Sequence, residues 1–169
     1  MGSAGKWASR VEKSGSDRMG RWSWIDLRGK KNKMIRVISA YRVSQTNNTK
    51  VGELTLYKQQ VRSLLKRGVK KPDPKQAFLC DLGKFIRKWR EQEDNREIIL
   101  MADMNEYTGD KGSLYDFCID TDLIDTVALV NPEIEQDPTY IYGRKRIDYI
   151  FTSPALAAVA IKGSTCTLM

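Results

Sequence analysis

A continuous apolar run in this sequence leads directly into a polar triplet. Ile98 to Ala102 has the composition of a short buried strand, and Asp103 and Asn105 follow it two residues apart. Residues at that spacing on a strand point to the same side, so both side chains can enter one pocket. The aspartate can bind a metal ion or orient a water, and the asparagine can donate to a phosphate oxygen. Taken alone, such a triplet is more often a polar turn that caps the next element.

A second carboxylate lies inside the stretch Arg146 to Phe151. Strand alternation puts Arg146 and Asp148 on one face and Tyr149 on the other. A carboxylate among bulky apolar residues is costly to desolvate, which favours a site where it has a partner. The alternative is an ordinary surface ion pair between Arg146 and Asp148, which would be common and weak.

A third candidate is Tyr41 beside Arg42, where a hydroxyl and a cation follow a predicted strand and could contact a phosphate. A tyrosine at a strand end is more commonly a half-buried aromatic residue. Basic side chains also cluster near the first predicted turn and just before Asp148, and both clusters could follow a phosphate backbone. A solvated turn explains the first cluster equally well. The clusters are Arg28, Lys30, Lys31, Lys33 and Arg36, and Arg144, Lys145 and Arg146.

The elements that must position these residues follow from hydrophobic periodicity. Aromatic and β-branched residues around a polar turn predict a β-hairpin, and apolar residues at helical spacing predict two consecutive helices before the buried strand. Strands mixed with helices indicate an α/β (α+β) layered fold with mixed strands. The predicted order is an irregular lead-in over 1–20, strands 22–27 and 34–41, helices 54–68 and 77–93, strand 98–102, a short helix 111–120, irregular structure after Leu123, strand 146–151, a strand or helix over 155–161, and a tail over 163–169.

Composition narrows the chemistry. The 169 residues suit one domain, and the formal charge of +8 favours polyanionic partners. The complete absence of histidine excludes Ser-His-Asp hydrolysis, Cys-His proteolysis and HExxH metalloprotease chemistry. Three widely spaced cysteines, Cys80, Cys118 and Cys166, predict free or buried thiols. No membrane-length apolar run and no signal peptide are apparent, so we expect a soluble intracellular protein, with the nucleus among its candidate locations.

Three segments in this order resemble the endonuclease/exonuclease/phosphatase superfamily. Ile38 to Arg42 is similar to the strand that ends in the family's Tyr-x-Pro element, with Val43 replacing proline. The strand into Asp103-Met104-Asn105 is similar to its Gly-Asp-Phe-Asn motif, with Ala102 and Met104 at the first and third positions. Pro138-Thr139-Tyr140, and then Arg146 to Phe151, resemble its Thr-Trp/Tyr segment and its Arg-Ile-Asp-Tyr strand.

The resemblance implies a fold, a cofactor and a set of roles. The expected fold is part of a four-layer-type β-sandwich with flanking helices. Asp103 and Asn105 would orient the attacking water and contact the scissile phosphate, with Asp103 also a ligand of Mg²⁺ or Mn²⁺. Tyr41 would stabilise the phosphate charge, and Asp148 would occupy the position that buttresses a catalytic histidine. Arg42, Arg144 and Arg146 would contact nucleic acid, with DNA as the expected form, and Thr139 would shape the pocket wall.

The departures from the family are as informative. The family's metal-binding Glu strand and its closing Ser-Asp-His strand have no counterpart, so we expect a domain incomplete at both ends, with little or no activity alone. The helical region and the run Asp73 to Asp81 resemble reverse-transcriptase-associated nuclease domains of retroelements. Open sheet edges would favour self-association. The alternatives are a non-catalytic nucleic-acid-binding module and a sugar- or lipid-phosphate phosphatase on the same fold.

Overall fold

The computed structural model describes residues 5–44, 55–92, 96–108, 112–132, 138–139 and 142–160. In this part of the chain the strands are β1 (Val11–Ser16), β2 (Trp22–Arg28), β3 (Met34–Tyr41), β4 (Arg96–Asp103), β5 (Ile124–Asp125) and β6 (Asp148–Thr152). The helices are α1 (Leu56–Lys66), α2 (Pro74–Arg90), α3 (Ser113–Thr121), α4 (Thr126–Val130) and α5 (Pro154–Ala157), and 3-10 turns lie at Gly5–Arg10 and Lys30–Asn32.

The six described strands form one mixed sheet in the order β1-β2-β3-β4-β6-β5. β3 and β4 are parallel, and the region of α1 and α2 between them provides the long connection that parallel strands require. Every other neighbouring pair is antiparallel. The predicted hairpin is confirmed as β2 and β3, and its turn is closed by the Gly29 N–H on the Lys33 carbonyl at 2.6 Å. Helices with a mixed sheet confirm the predicted α/β class.

The helices begin where short polar side chains cap them. The Thr55 hydroxyl accepts from the Lys58 N–H at 3.3 Å, and the Asp73 carboxylate accepts from the Lys75 N–H at 2.9 Å with Pro74 at the first helical position. One face of the sheet packs on α2 and α3 through a continuous apolar core. It includes Trp22, Ile38, Leu100, Tyr149 and Phe151 from the strands, Phe78, Leu82, Ile86 and Trp89 from α2, and Leu114 and Phe117 from α3.

The irregular lead-in predicted over 1–20 is wrong for Val11–Ser16, because this segment pairs with β2 as an edge strand. The prediction fails because backbone hydrogen bonds hold this strand while most of its side chains face solvent. Gly15 lies opposite Trp24, and a Cβ at Gly15 would come within 2.8 Å of the Trp24 ring. The indole therefore needs a glycine at this position.

Smaller differences concern the second half of the chain. Ile124–Asp125 pairs with β6 instead of opening irregular structure, and β6 begins at Asp148 instead of Arg146. Of the stretch 155–161, residues as far as Ala157 are helical. Cys80 and Cys118 are free thiols as predicted, and burial raises the pKa of Cys118 to about 12. Cys166 and the tail 163–169 lie outside the described residues.

The sheet face opposite α2 and α3 carries apolar side chains that remain exposed. Met101 is 39% and Ile150 42% exposed, on neighbouring strands of this face. Neighbouring exposed apolar side chains favour association between protein molecules. They are consistent with the predicted self-association, which stays a prediction. Among the described helices, none combines the length and apolarity needed to cross a bilayer.

The β1 pairing can be tested by Gly15→Ala. The new methyl group would collide with the Trp24 ring, so we expect a loss of about 1–3 kcal/mol in the free energy of unfolding, as overpacking typically causes. Urea denaturation followed by tryptophan fluorescence measures it. Ser14→Ala, next to it on the exposed side of β1, is the matched control, and its effect should stay within about 0.5 kcal/mol. Equal stability of the two variants would contradict the pairing.

Candidate functional site

Three predicted residues meet in one row across the sheet. Tyr41 is the register partner of Asp103 on the parallel strand, and Asp103 is the register partner of Asp148 on the antiparallel one. Register partners point to the same side, and here that side is the face opposite α2 and α3. Tyr41 and Asp148 are exposed and Asp103 is half-buried. The structure thus brings a phenol and two carboxylates to one end of the sheet.

The surroundings of Asp103 disfavour ionisation of its carboxyl group. Burial raises its pKa above the ordinary value, and the neighbouring negative charge of Asp148 adds to the rise. A hydrogen bond from the Asn105 backbone N–H, 3.0 Å from Asp103 Oδ1, partly opposes them. A carboxylate with a raised pKa is a stronger base for a proton of water. The environment of Asp103 therefore suits a general base.

Asn105 completes the turn after β4 in the left-handed region, with φ of 49°. Asparagine adopts this conformation more readily than most residues. Its side-chain Nδ2 donates to the Arg42 carbonyl at 2.7 Å. One amide hydrogen is committed to the backbone, and a second hydrogen and the Oδ1 atom complete its hydrogen-bonding capacity. Asn105 therefore ties β3 to the turn that follows Asp103, and its contact with phosphate stays a prediction.

Arg42 is not available for nucleic acid, contrary to the prediction, because it is only 2% exposed. Its Nη1 donates to Glu106 Oε2 at 2.6 Å and its Nη2 to the Ser113 hydroxyl at 3.2 Å. Burial raises the pKa of Glu106, but the Arg42 contact and the Leu114 N–H outweigh it, and the pKa lies below its ordinary value. This pair joins the end of β3, the turn after β4 and the start of α3.

Arg146 is likewise not a nucleic-acid contact, because its side chain is fully buried. It forms a two-pronged ion pair with Asp125, and its guanidinium carbon lies 4.3 Å from the centroid of the Tyr149 ring. The surface pair of Arg146 with Asp148 does not form either. Because Arg146 lies before β6 begins, strand alternation does not govern its direction. Of the predicted nucleic-acid contacts, Arg144 alone is exposed, next to exposed Lys145.

Sequence reasoning missed the residues that fix Asp148 in place. The Thr139 hydroxyl accepts from the backbone N–H groups of Ile147 and Asp148, each at 3.2 Å. The Tyr149 hydroxyl lies 2.8 Å from the Arg146 carbonyl and 3.0 Å from the Glu106 carbonyl, and it accepts from the Thr108 N–H. The sequence predicts Thr139 only as part of the pocket wall. The Arg-Ile-Asp-Tyr resemblance contains Tyr149 and could have pointed to its structural role.

The row offers some, but not all, of the ligands that a hard divalent cation needs. Asp103 and Asp148 offer carboxylate oxygens, and Mg²⁺ commonly binds one or two carboxylates with water and substrate phosphate. Among the described residues no group of three or more acidic, cysteine or histidine side chains could enclose a metal ion. The residues fit an open site that a phosphate would complete.

Comparison with known proteins rests on the fold. No protein-family model and no curated protein matches the sequence. Among solved structures, the human Nocturnin catalytic domain with bound sulfate superimposes with a TM-score of 0.56 at 15% identity over 85% of this chain and 48% of that one. Truncated TDP2 of Caenorhabditis elegans gives 0.52 at 12% identity over 85% of this chain and 52% of that one.

The chain has the endonuclease/exonuclease/phosphatase fold. It spans about half the length of the solved chains it matches, 48% and 52%. Structural similarity at such low sequence identity establishes the fold alone. The chemistry must be argued from the residues of the site. Within this fold, the row from Tyr41 to Asp148 lies where three neighbouring strands meet at one end of the sheet.

Substitution Asp103→Asn should stabilise the folded protein at neutral pH. Because the folded-state pKa of Asp103 is raised, its contribution to stability is present in acid and is lost as the pH rises through that pKa. The asparagine keeps an acceptor for the Asn105 N–H without the charge. We expect the Tm in a thermal unfolding scan at pH 7 to rise. The difference should shrink as the pH falls and vanish well below the ordinary aspartate pKa of about 4, where the Asp103 carboxyl is protonated in both the folded and the unfolded state. An unchanged Tm at pH 7 would contradict this account.

Substitution of two of the three predicted nucleic-acid arginines, Arg42 and Arg144, should separate their roles. Arg42→Ala leaves the Glu106 carboxylate without its cation, and we expect a loss of about 3 kcal/mol in the free energy of unfolding in urea. Arg144→Ala removes an exposed cation, so stability should change by less than about 0.5 kcal/mol while affinity for an oligonucleotide falls. Wild-type stability of Arg42→Ala would overturn its structural role.

Proposed function

We propose that this chain is a nucleic-acid-directed phosphodiesterase domain of the endonuclease/exonuclease/phosphatase superfamily, related to retroelement nucleases, with little activity alone. The observation that carries the proposal is the row of Tyr41, Asp103 and Asp148, brought together by strand register. The retroelement relationship rests on the sequence resemblance of the helical region and would place the protein in the nucleus.

Each residue of the row has a role in phosphodiester hydrolysis. Asp103, oriented by the Asn105 N–H at 3.0 Å, would accept a proton from water as its oxygen attacks phosphorus. The Tyr41 hydroxyl would donate to a phosphate oxygen whose charge grows in the transition state. Asn105 would orient the same water or phosphate through its remaining amide groups. Tyr41 and Asp103 can act together because both lie on the face of the sheet opposite α2 and α3.

A metal ion would act at the same place. Asp103 and Asp148 would hold Mg²⁺ or Mn²⁺ through their carboxylates, and the bound ion would neutralise phosphate charge. Asp148 would then share the cation with Asp103 instead of supporting a histidine. Their register pairing, which otherwise sets two negative charges against each other, favours a shared cation.

Low activity follows from what the row cannot supply. The departing oxygen must receive a proton or a compensating positive charge as its bond to phosphorus breaks. The chain contains no histidine, and two of the arginines near the row, Arg42 and Arg146, are buried in ion pairs, while the exposed Arg144 is assigned to the flanking phosphates. Loss of a positioned general acid costs roughly 10²–10⁴-fold in rate. We therefore expect turnover close to background.

Nucleic acid is the substrate that the charge distribution favours. The formal charge is +8, and Arg144 and Lys145 are exposed on the segment leading into Asp148. Cations beside the row would bind the flanking phosphates of a chain, and DNA is the expected form. A non-catalytic nucleic-acid-binding module is the second candidate, since the described residues form no enclosed metal cluster.

A metal titration tests the site without relying on turnover. We expect low concentrations of Mn²⁺ to broaden the backbone NMR signals of Asp103 and Asp148 before others, because paramagnetic broadening is strongest close to the ion. The effect should disappear in the Asp103→Asn/Asp148→Asn double variant. Asp116→Asn/Asp120→Asn, with the same charge change on the exposed side of α3, should keep it. Broadening unaffected by the first double variant would refute the metal assignment.

A nicking assay on supercoiled plasmid with Mg²⁺ or Mn²⁺ then tests activity. Nicking at background by the wild-type chain, with salt-dependent DNA binding retained, is the expected result. Robust nicking abolished by Asp103→Ala would support the catalytic role of Asp103 and overturn the expectation of low activity. Binding that neither salt nor Arg144→Ala weakens would count against nucleic acid as the partner.

A further inference from the structure

A groove at the other end of the sheet is lined by aromatic and basic side chains. It lies between the start of β3 and β4, the end of β2, and the C-terminal part of α2, with a volume of about 700 Å³. Tyr41 and Asp103 end the same strands β3 and β4, so the groove and the row are at opposite ends. We call it the cationic groove. Its lining includes Lys13, Trp24, Arg28, Arg36, Phe85, Lys88, Trp89 and Arg96.

Aromatic rings surround a fixed guanidinium in this groove. The Arg36 guanidinium carbon lies 3.9 Å from the centroid of the Trp24 ring, 4.8 Å from that of Phe85 and 4.4 Å from that of Trp89. Its Nε and Nη2 donate to the Asp26 carboxylate at 2.6 and 2.8 Å, and both side chains are buried. Because the Asp26 carboxylate neutralises the buried Arg36 guanidinium, we assign this pair the role of holding the three rings in position. Trp24 and Phe85 remain half-exposed to the groove.

Positive charge dominates the rim. The groove lining contains five cationic side chains against two carboxylates, Glu12 and Asp26. Asp26 is occupied by Arg36 and Glu12 by Arg28, whose side chain is still 63% exposed. Lys13 and Lys88 are exposed on opposite walls, and Lys30 and Lys31 in the β2–β3 turn are exposed beside the groove-lining Asn32. The net charge therefore faces solvent, not the protein interior.

We propose that the cationic groove binds single-stranded nucleic acid. Aromatic side chains in a positively charged groove are the combination that single-stranded binding proteins use, with bases on the rings and cations on the phosphates. Trp24 and Phe85 line the groove and are partly exposed, and the Arg36 guanidinium lies over the Trp24 ring. An unpaired base would contact the exposed parts of these rings, while a duplex keeps its base faces stacked inside. The basic residues of the β2–β3 turn thereby gain a function that a solvated turn would not give them. The proposal is independent of hydrolysis at Asp103.

The test is fluorescence anisotropy of a labelled oligothymidylate with the full chain in EDTA, across a salt series. Lys13→Ala/Lys88→Ala should weaken binding by about fivefold or more. It should also reduce the slope of log K against log salt by about 1.4, since each single-strand phosphate contact contributes about 0.7. Phe85→Leu keeps an apolar side chain without the ring, and it should weaken binding by about tenfold. Circular dichroism and urea unfolding verify that the variants fold.

Controls separate the groove from charge in general. Lys66→Ala/Lys70→Ala makes the same charge change at exposed positions on and after α1 and should leave affinity within about twofold. Binding is measured in EDTA, where no metal-dependent hydrolysis takes place, so failure of the hydrolytic proposal and failure of the groove proposal give different results. An equal loss in the Lys66/Lys70 variant, equal affinity for a duplex of the same sequence, or equal competition by an oligoglutamate peptide would overturn the proposal.

Discussion

The arrangement of the candidate site depends on the register of three strands. β3 and β4 run parallel with Tyr41 opposite Asp103, and β6 runs antiparallel with Asp148 opposite Asp103. A slip of one residue in any strand would turn its functional side chain to the face that α2 and α3 cover. The core residues Ile38, Leu100 and Phe151 alternate with the row on these strands, so burial of one face fixes the direction of the other.

Backbone and side-chain bonds at the strand ends carry that register into the loops. The Arg42 N–H donates to the Asp103 carbonyl at 2.9 Å, and the Met104 N–H donates to the Ile147 carbonyl at 2.8 Å. The Arg42–Glu106 pair and the Tyr149 hydroxyl extend these bonds to α3 and the segment before β6. The strand ends, the turn after β4 and the start of α3 therefore form one connected network, and the row of Tyr41, Asp103 and Asp148 lies on the face opposite α2 and α3.

Several cations of this basic chain are structural. Arg21, Arg36, Arg42 and Arg146 are each at most 5% exposed, and each is paired with an aspartate or glutamate. An intact buried ion pair contributes little net stability, whereas removal of one partner is costly because it leaves a buried charge without compensation. The formal charge of +8 therefore overstates how many arginines can meet a polyanion and leaves that role to lysines and a few exposed arginines.

The amino-acid sequence alone determined the element types, because the hairpin, the two helices and the buried strand each carry a strong local pattern. It also determined that the chemistry of this chain proceeds without histidine, and it placed Tyr41 and Asp103 at strand ends and Asp148 within a strand. The tertiary structure decided which arginines remain exposed, because Asp125 and Glu106 lie far in sequence from Arg146 and Arg42. It also decided that polar Val11–Ser16 is a strand and that Arg36 lies among three rings. Pairing partners distant in sequence leave no local pattern, so only the folded chain reveals them.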